Sequence, residues 1–345
     1  MSLPVAAPMV RYSKLPFRLL LRQYNVDVVY TPMILAAEFV RSAVARENDF
    51  TTCPLEREPT VRRDDAQEQQ HVLIAQLASS SPLDFARAVE LLAPWVDGVD
   101  LNCGCPQSWA CGEGIGCALM DSPELVAELV RAAKARLPRT KSVSVKIRVH
   151  KDLARTVAFV KTVEAAGVDF ITVHGRTKSQ RSSTPPDYAA IRMLKKSVNV
   201  PLIANGDAYT LDDVHKIAKL TGADGVMAAR GLLENPALFA GESVTSPECV
   251  RRFLEYAVGC PIPFTLVLHH VSEMTAKIEG MGKRGRRELM QCRDLVDLVD
   301  FVNARWPDPL LTGGSSPGAF LVAPEGIVVV LPDGTCKTRV GVSSI

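Results

Sequence analysis

Short apolar runs and longer amphipathic stretches alternate along the first two thirds of the chain. The apolar runs are rich in β-branched residues, and each has a polar or otherwise special residue at or near its end. Eight such runs occur, at residues 3–10, 26–33, 71–78, 98–104, 142–149, 169–176, 200–207 and 224–231. Strands that are apolar throughout and alternate with helices are typical of a parallel sheet, so the pattern predicts one.

Helices are predicted between these strands, two of them from a Ser-Pro start signal. They cover residues 82–95, 122–137, 152–166, 187–197 and 210–220. Eight strand–helix units within about 240 residues favour a closed (β/α)8 TIM barrel over an open doubly wound sheet. The first strand also lacks the GxGxxG turn of a dinucleotide-binding sheet. The predicted fold class is therefore α/β, with a TIM-barrel domain over residues 1–241.

The pattern changes after the barrel. Residues 247–306 contain no strand-like run and predict a small C-terminal all-helical domain of two or three helices, at 247–259, 264–281 and 285–306. Residues 307–345 form a tail of unknown role, with the composition of a disordered linker and then a predicted hairpin around Asp333-Gly334. The gap at 34–70 predicts an elaborated loop with short elements of its own.

Composition adds limits on location and partners. The 40 Lys and Arg nearly balance the 38 Asp and Glu, so a polyanionic partner must bind to a local basic patch. No apolar run approaches the roughly 20 residues that cross a bilayer. Nine cysteines, an odd number without a secretory signal, indicate a reducing compartment rather than a disulfide framework. We expect a monomer in the cytoplasm, with the nucleus as the alternative, and no membrane partner.

Polar or special residues stand at the end of every predicted strand. The catalytic groups of a TIM barrel lie at this end of its strands. These residues are Pro8, Met9, Met33, Gln76, Asn102, Lys146, His174, Asn205, Gly206, Arg230 and Gly231. Each has a structural explanation when taken singly, such as a core methionine or an amide that bonds to a loop. Together they predict a ligand site, because buried polar groups need partners.

The types of these residues suggest the ligand. Gly206 and Gly231 would let backbone N–H groups approach a phosphate, and Arg230 could pair with it. Gln76 and Lys146 suit a planar heteroaromatic ring with carbonyl and imide edges, because the lysine would stabilise a reduced, anionic ring. A phosphate joined to such a ring indicates flavin mononucleotide (FMN).

Four cysteines follow the fourth predicted strand, in the stretch DLNCGCPQSWACGEGIGC at residues 100–117. One alternative is a zinc- or cluster-bearing RNA-binding module built on Cys103, Cys105, Cys111 and Cys117. The first pair is separated by one residue, which is shorter than the spacing usual at a structural zinc site, and the stretch contains no histidine. The pattern therefore favours one reactive thiol and no metal.

The motifs AAPM, IAQL, DLNCGCP, VKIR, VHGRT, IANGD and GVMAARGLLENPALF resemble, in order and spacing, those of the tRNA-dihydrouridine synthases. The resemblance covers about residues 4–306. The segment RTKSQRSSTPPDYAAI is most similar to the eukaryotic branch that acts at tRNA positions 20a and 20b. Two departures are the additional cysteines after Cys105 and residues 307–345, which match no part of the family pattern.

The resemblance implies an FMN-binding barrel followed by a helical RNA-binding domain. It implies that NADPH or NADH reduces FMN, that hydride passes from flavin N5 to uracil C6, and that Cys105 protonates C5. An ordinary thiol has a pKa of about 8.5 and can act as an acid near neutrality. The implied cofactor-binding residues are Pro8, Met9, Met33, Gln76, Asn102, Lys146, His174, Asn205, Gly206, Asp207, Ala229 and Arg230.

The same resemblance implies that the partner is tRNA, whose target base must be drawn out into the barrel mouth. The basic residues expected to contact tRNA are Arg148, Arg176, Lys178, Arg181, Lys283, Arg284, Arg286 and Arg287. Two other functions stay open at this point. One is an FMN barrel acting on a free pyrimidine, like a dihydroorotate dehydrogenase, and the other is a barrel that binds tRNA without catalysis.

Overall fold

The computed structural model describes residues 2–61, 68–69, 71–307, 328–330 and 336–338. Within these ranges, eight parallel strands form the barrel. They are β1 (Leu3–Ala6), β2 (Val28–Tyr30), β3 (Val72–Ala78), β4 (Gly98–Cys103), β5 (Ser142–Arg148), β6 (Phe170–His174), β7 (Leu202–Asn205) and β8 (Gly225–Ala228).

Parallel pairing runs without interruption around these strands. Each pairs with the next from β3 to β8, β8 pairs with β1, β1 with β2, and β2 with β3, which closes the barrel. The predicted TIM barrel is therefore confirmed. Several strands are shorter than predicted, because their polar ends leave the sheet. For example, β1 ends at Ala6, where the following turn is fixed by Ser13, whose Oγ accepts from the Met9 N–H and donates to the Ala7 carbonyl.

Ten helices accompany the described barrel strands, most of them on the outside of the barrel, whereas the short helix Ser108–Gly112 belongs to the loop at its mouth. They are α1 (Leu15–Arg22), α2 (Ala36–Arg41), α3 (Ala43–Asp49), α4 (Pro82–Leu92), α5 (Ser108–Gly112), α6 (Pro123–Lys134), α7 (Leu153–Ala165), α8 (Tyr188–Lys195), α9 (Leu211–Thr221) and α10 (Arg230–Glu234). Their starts follow from local chemistry, because Ser81, Asp152 and Asp187 each accept a backbone N–H of the first turn. Thr210 and Asp213 form a reciprocal capping box at α9.

The insertion between β2 and β3 has short elements of its own, as predicted. It contains a two-residue strand at Ile34–Leu35, the helices α2 and α3, and a 3-10 turn at Pro54–Glu56. A buried ion pair fastens this turn to α1: the Arg18 Nε lies 2.8 Å from a carboxylate oxygen of Glu56, and both side chains are almost fully buried. Removal of one partner would leave an uncompensated buried charge.

The C-terminal helical region differs from the prediction of two or three helices. Across the described residues 246–307 it has four: α11 (Pro247–Gly259), α12 (Phe264–Thr275), α13 (Gly282–Leu289) and α14 (Leu295–Arg305). The prediction of one continuous helix over 285–306 was wrong. The chain turns after α13, and Asp294 caps the new helix by accepting the Asp297 N–H, a local stop and start that apolar periodicity does not reveal.

This helical region packs directly on the barrel domain. Helix α11 lies against α1, and α12 lies against α10. His270 is fully buried between them, with ring centroids 4.6 Å from Phe17 and 4.8 Å from Phe253, and its Nε2 is 3.2 Å from the Tyr12 carbonyl. Burial lowers the pKa of His270 to about 3, so the ring is neutral in this interface.

At the end of the chain, Val328–Val330 pairs antiparallel with Cys336–Thr338. This pairing has the geometry of the predicted hairpin. The turn at Asp333-Gly334 and, from residue 308 onward, the predicted linker at 307–320 lie outside the described residues. Among the described helices, none combines the length and the apolar character that crossing a membrane requires.

Candidate active site

A buried chain of hydrogen bonds connects the ends of β3, β4 and β5. Gln76 donates from Nε2 to Asp100 at 2.8 Å and accepts from Asn102 Nδ2 at 2.8 Å. Ser144 donates to the other oxygen of Asp100 at 2.7 Å. Gln76, Asp100 and Ser144 are at most 1% exposed. Burial raises the pKa of Asp100 to about 6, and its hydrogen bonds from Gln76 and Ser144 oppose that rise.

Cys105 stands at the end of this chain, on the loop that leaves β4. Asn102 Oδ1 accepts the backbone N–H groups of Gly104 at 3.0 Å and Cys105 at 2.9 Å. The Cys105 carbonyl in turn accepts the Cys117 N–H at 2.9 Å, so the segment after α5 folds back on the cysteine. The thiol is half-buried and free of any disulfide. Its backbone is therefore held from both sides while its side chain stays accessible.

The other three thiols of the stretch have different surroundings. Cys103 is fully buried in the core, and burial raises its pKa well above the usual value. Cys117 is also buried, and its pKa is raised to about 11. Cys111 is half-buried, with its sulfur 3.8 Å from the Cys105 carbonyl. In the part of the chain that the structure describes, no group of three or more His, Cys, Asp or Glu side chains is arranged to hold a metal ion.

Lys146 lies opposite Asn102 in the register of β4 and β5. Its side chain is half-buried, and burial together with the nearby Arg148 lowers its pKa to about 8. Among the residues described, none forms a hydrogen bond or ion pair with its ammonium group. A cation held in a low-dielectric mouth without a hydrogen-bond acceptor, and only partly offset by the charge of Asp100, is suited to an anionic or carbonyl group of a ligand.

His174 ends β6 and is a neutral imidazole. Burial and the four surrounding cations Lys146, Arg148, Arg176 and Arg230 lower its pKa to about 2. The Nε2 of His174 lies 3.3 Å from a guanidinium nitrogen of Arg176. Since a guanidinium can only donate, Nε2 accepts and the ring proton stands on Nδ1.

Asp207 lies between two arginines after β7. It accepts from Arg176 at 3.0 Å and from Arg230 at 2.9 Å. Its backbone φ is +45°, a left-handed conformation that non-glycine residues rarely adopt. Arg230 also lies over the ring of Tyr209, 5.5 Å from its centroid. Asp207 thus orients both guanidinium groups at one edge of the barrel mouth.

A cleft opens beside these arginines. Its lining consists of His174, Arg176, Asn205, Gly206, Asp207, Ala208, Tyr209, Ala229, Arg230 and Gly231. Asn205 donates to the Met227 carbonyl at 2.9 Å, and this bond joins the ends of β7 and β8. The structure therefore brings the residues predicted for the phosphate end into one place.

The two glycines of this cleft have different reasons to be glycine. Gly206 has a φ of +149°, and a Cβ there would approach Pro186 to 2.7 Å. A Cβ on Gly231 would meet the Ala208 carbonyl oxygen at 2.1 Å. Gly231 thus has a packing reason to be glycine, because its small size allows the backbone after β8 to pack against the backbone after β7. Its approach to an anion stays a prediction.

The remaining predicted cofactor residues lie at the same end of the barrel. Pro8 and Met9 are half-buried in the turn after β1. Met33 is half-buried in a small apolar cluster with Ala78, Ala110, Ile115 and Cys105. These positions give the mouth an apolar wall near the thiol.

The predicted tRNA contacts divide into two groups. Arg148 and Arg176 lie inside the site: Arg148 donates to the carbonyls of Gly104 at 2.9 Å and Thr177 at 3.0 Å, and Arg176 is 2% exposed. Both guanidinium groups hold loops of the barrel mouth in place, and their contact with tRNA stays a prediction. The other six are exposed, two on the β6–α8 loop and four on α13: Lys178, Arg181, Lys283, Arg284, Arg286 and Arg287.

Asp100 and Ser144 were missed by the sequence-based prediction of site residues. Asp100 stands two positions before Asn102, so the two side chains leave the same face of β4. This spacing was the available signal for Asp100. The hydroxyl of Ser144 gave no comparable signal, because serine is common in strands and turns alike.

The chain is similar to known proteins over most of its length. The sequence profile of the family described as "Dihydrouridine synthase (Dus)" matches residues 5–301. A tRNA-dihydrouridine(20a/20b) synthase [NAD(P)+] of Schizosaccharomyces pombe is 48% identical over 89% of this chain and 90% of its own length. The Saccharomyces cerevisiae protein of the same name is 42% identical over 87% of this chain and 78% of its own length.

More distant similarities give a scale for these identities. A mouse tRNA-dihydrouridine(16/17) synthase [NAD(P)(+)]-like protein is 34% identical over 84% of this chain and 59% of its own length. Among solved structures, histamine dehydrogenase from Rhizobium sp. 4-9 superposes with a TM-score of 0.51 at 11% identity, over 79% of this chain and 49% of that one. That likeness concerns the fold alone.

Proposed function

The chain belongs to the dihydrouridine synthase family, and from this membership we propose that it reduces the C5–C6 double bond of uridine in the D-loop of tRNA. The observation that carries the proposal is the placement of Cys105, just after β4, and of Lys146, near the end of the adjacent β5, at the same end of the barrel. Asn102 and Lys146 are register partners, and Asn102 fixes the backbone of Cys105. A proton donor and a cation thus share one barrel mouth.

The residues of the mouth fit an FMN cofactor. The unpaired ammonium of Lys146 and the second N–H groups of the Gln76 and Asn102 amides would bind the polar edge of the ring. The cleft beside Arg230 would hold the phosphate. When bound, FMN supplies the hydride that reaches uracil C6. The names of the relatives specify NAD(P)+, so we infer that NADPH or NADH is the reductant.

The side chains of the mouth would then supply the proton for uracil C5 and stabilise the negative charge that forms on the uracil. Hydride addition at C6 leaves negative charge on C5 and the C4 carbonyl, and the Cys105 thiol protonates C5 as a general acid. Cations in the mouth stabilise that charge before the proton arrives. His174, neutral with its proton on Nδ1, would be able to donate a hydrogen bond to the substrate without competing with Cys105 as an acid.

The choice of positions 20a and 20b rests on the ranking of relatives. The chain is 48% and 42% identical to proteins named for these positions, against 34% for one named for positions 16 and 17. The exposed Lys178 and Arg181 beside the mouth and the basic face of α13 would contact the tRNA backbone.

Substitution of Cys105 tests this function. We expect Cys105→Ala to retain bound flavin and NADPH oxidation but to lower dihydrouridine formation about 10²- to 10⁴-fold, which is the usual contribution of a general acid. Cys105→Ser should be similarly impaired, because a hydroxyl is a far weaker acid. The assay measures dihydrouridine at positions 20a and 20b in unmodified tRNA.

Cys111→Ala is the matched control, since it removes a thiol from the same loop and should stay active. Undiminished tRNA reduction by Cys105→Ala would contradict the assignment. Turnover of free orotate or dihydroorotate, with no effect on tRNA, would replace it with a free-pyrimidine dehydrogenase. Modification at positions 16 and 17 alone would change the target site and leave the chemistry intact.

A further inference from the structure

In the hydrogen-bonded chain from Asp100 to Cys105, the chemistry of the groups determines which group donates and which accepts at each step. Backbone N–H groups can only donate, so Asn102 must turn its oxygen toward Gly104 and Cys105. Its amide nitrogen then faces Gln76, which must present its own oxygen. The Gln76 nitrogen is thereby directed at Asp100.

Asp100, at the other end of the chain, determines the same order of donors and acceptors. Its two oxygens accept from Gln76 at 2.8 Å and from Ser144 at 2.7 Å. A carboxylate accepts and does not donate, so it stabilises only the Gln76 rotamer that faces its nitrogen toward it. Without this acceptor, the Gln76 amide could rotate by 180° and turn its nitrogen toward the Asn102 nitrogen.

We propose that Asp100 is a positioning residue for Cys105, acting through the amides of Gln76 and Asn102. It sets the orientation of Gln76, Gln76 sets that of Asn102, and Asn102 fixes the backbone N–H groups of the loop that carries the thiol. Asp100 itself is fully buried, so it offers no exposed surface to a substrate. The proposal rests on the proposed function in one respect, namely that Cys105 is the proton donor.

Two substitutions at one position separate hydrogen-bond direction from charge. In Asp100→Asn, the new amide can accept from Gln76 with its oxygen and donate to the Ser144 hydroxyl, so the direction of the chain is kept although the charge is lost. In Asp100→Leu, a side chain of similar size removes the acceptor and leaves the Gln76 nitrogen unpaired in the barrel.

The experiment measures the position of Cys105 and its chemistry independently. The alkylation rate of Cys105 by iodoacetamide at pH 8, followed by peptide mass spectrometry, reports how firmly the loop is held. We expect Asp100→Leu to raise this rate severalfold and to lower kcat for dihydrouridine formation about a hundredfold with little change in KM for tRNA. Asp100→Asn should restore both values to within a few-fold of those of the unaltered protein.

A second variant covers the case in which Asp100→Leu does not fold. In the exchange Asp100→Asn with Asn102→Asp, the carboxylate at 102 accepts from Gly104, Cys105 and Gln76, while the reversed Gln76 accepts from the amide at 100. Every donor again has an acceptor, so the alkylation rate should return to the normal range. Thr221→Val, which removes a buried hydroxyl that donates to the Ile217 carbonyl in α9, controls for general destabilisation.

The outcomes distinguish this proposal from the proposed function. If Asp100→Asn is as inactive as Asp100→Leu while Cys105 alkylation stays normal in both, the negative charge matters and positioning is overturned. Unchanged alkylation and kcat in Asp100→Leu would overturn it as well. Normal tRNA reduction by Cys105→Ala would instead defeat the proposed function, while the alkylation results would still report on the hydrogen-bonded chain.

Discussion

Burial and neighbouring charges determine the protonation states of two residues in the barrel mouth. Burial and four surrounding cations lower the pKa of His174 to about 2, so that ring stays neutral at every physiological pH. Burial and the nearby Arg148 lower the pKa of Lys146 to about 8, so its ammonium group stays mostly protonated near neutrality. Of the two, Lys146 is the group whose charge changes within an accessible pH range.

Flavin binding should therefore depend on pH through Lys146. A lysine with a pKa of about 8 in the free protein is charged below that value, and a ligand anion beside it favours the charged form. Affinity for FMN should be constant near pH 7 and fall up to about tenfold per unit as pH rises above 8. Fluorescence titrations from pH 7 to 9.5 measure this.

Lys146→Met should bind FMN more weakly and show no such fall, whereas Lys178→Met, at an exposed position of the β6–α8 loop, should behave like the unaltered protein. An affinity that stays constant up to pH 9.5 in the unaltered protein would show that Lys146 does not contact the bound cofactor.

At the scale of elements, the loop between β4 and α6 decides where the reactive thiol stands. Helix α5 and the 3-10 turn Gly116–Asp121 fold back on Cys105. Gly116 has a φ of +62°, and a Cβ there would meet the Cys105 carbonyl oxygen at 2.6 Å and its Cβ at 3.0 Å. The close approach of the two backbones requires a glycine.

Gly116→Ala should consequently displace Cys105. The left-handed backbone alone costs about 1–2 kcal/mol of the free energy of unfolding, and the contact adds to it. Dihydrouridine formation should fall more than this loss of stability explains, because the thiol moves with its backbone. Urea unfolding and tRNA reduction are measured on the same samples.

Gly112→Ala is the matched control on the same loop. A Cβ at Gly112 has no atom within 4 Å among the described residues. An alanine there should keep full activity and should not lower the free energy of unfolding. Equal activity of the two variants would mean that the loop adapts without moving the cysteine.

At the scale of the whole molecule, the barrel and the helical region are joined into one body. The contacts of α11 with α1 and of α12 with α10 bury His270, and Lys277 forms a 2.6 Å ion pair with Glu234 of α10. Helix α13 projects four basic side chains away from this interface. Gly285, on its inner face, lies against the Arg305 guanidinium, where a Cβ would approach to 2.5 Å.

The basic face of α13 should contribute phosphate contacts. Arg284 pairs with Glu288 and Arg286 donates to the Ala276 carbonyl, so Lys283 and Arg287 are the cleaner positions to test. The double variant Lys283→Ala/Arg287→Ala should weaken tRNA binding, and the slope of log affinity against log salt should become shallower by about 1 to 2. Filter binding at several salt concentrations measures both.

The control is Lys216→Ala/Lys219→Ala, which removes the same charge from exposed positions of α9. It should change neither the affinity nor the slope. If both double variants weaken binding equally, the effect comes from the net charge of the protein and α13 is not a specific contact.

The sequence predicted the barrel strands well but not the details of the helical region. Most β-strands of the barrel are rich in apolar residues, a pattern that stays visible in a single sequence. The division of residues 285–306 into two helices depends on the Asp294 cap and on a turn, which contribute little to apolar periodicity. The burial of Arg176 was also hidden, because its partner Asp207 lies 31 positions away.

The order of strands and helices, the polar strand ends and the candidate thiol were determined by the sequence itself, because local periodicity and residue chemistry encode them. Only the tertiary structure decided which polar groups bond to each other. Gln76 and Asp100 are 24 positions apart and meet because β3 pairs with β4; Asp100 and Ser144 are 44 apart and meet through β4 and β5. Barrel closure removes these groups from water, and each must then bond to whichever partner the register places beside it.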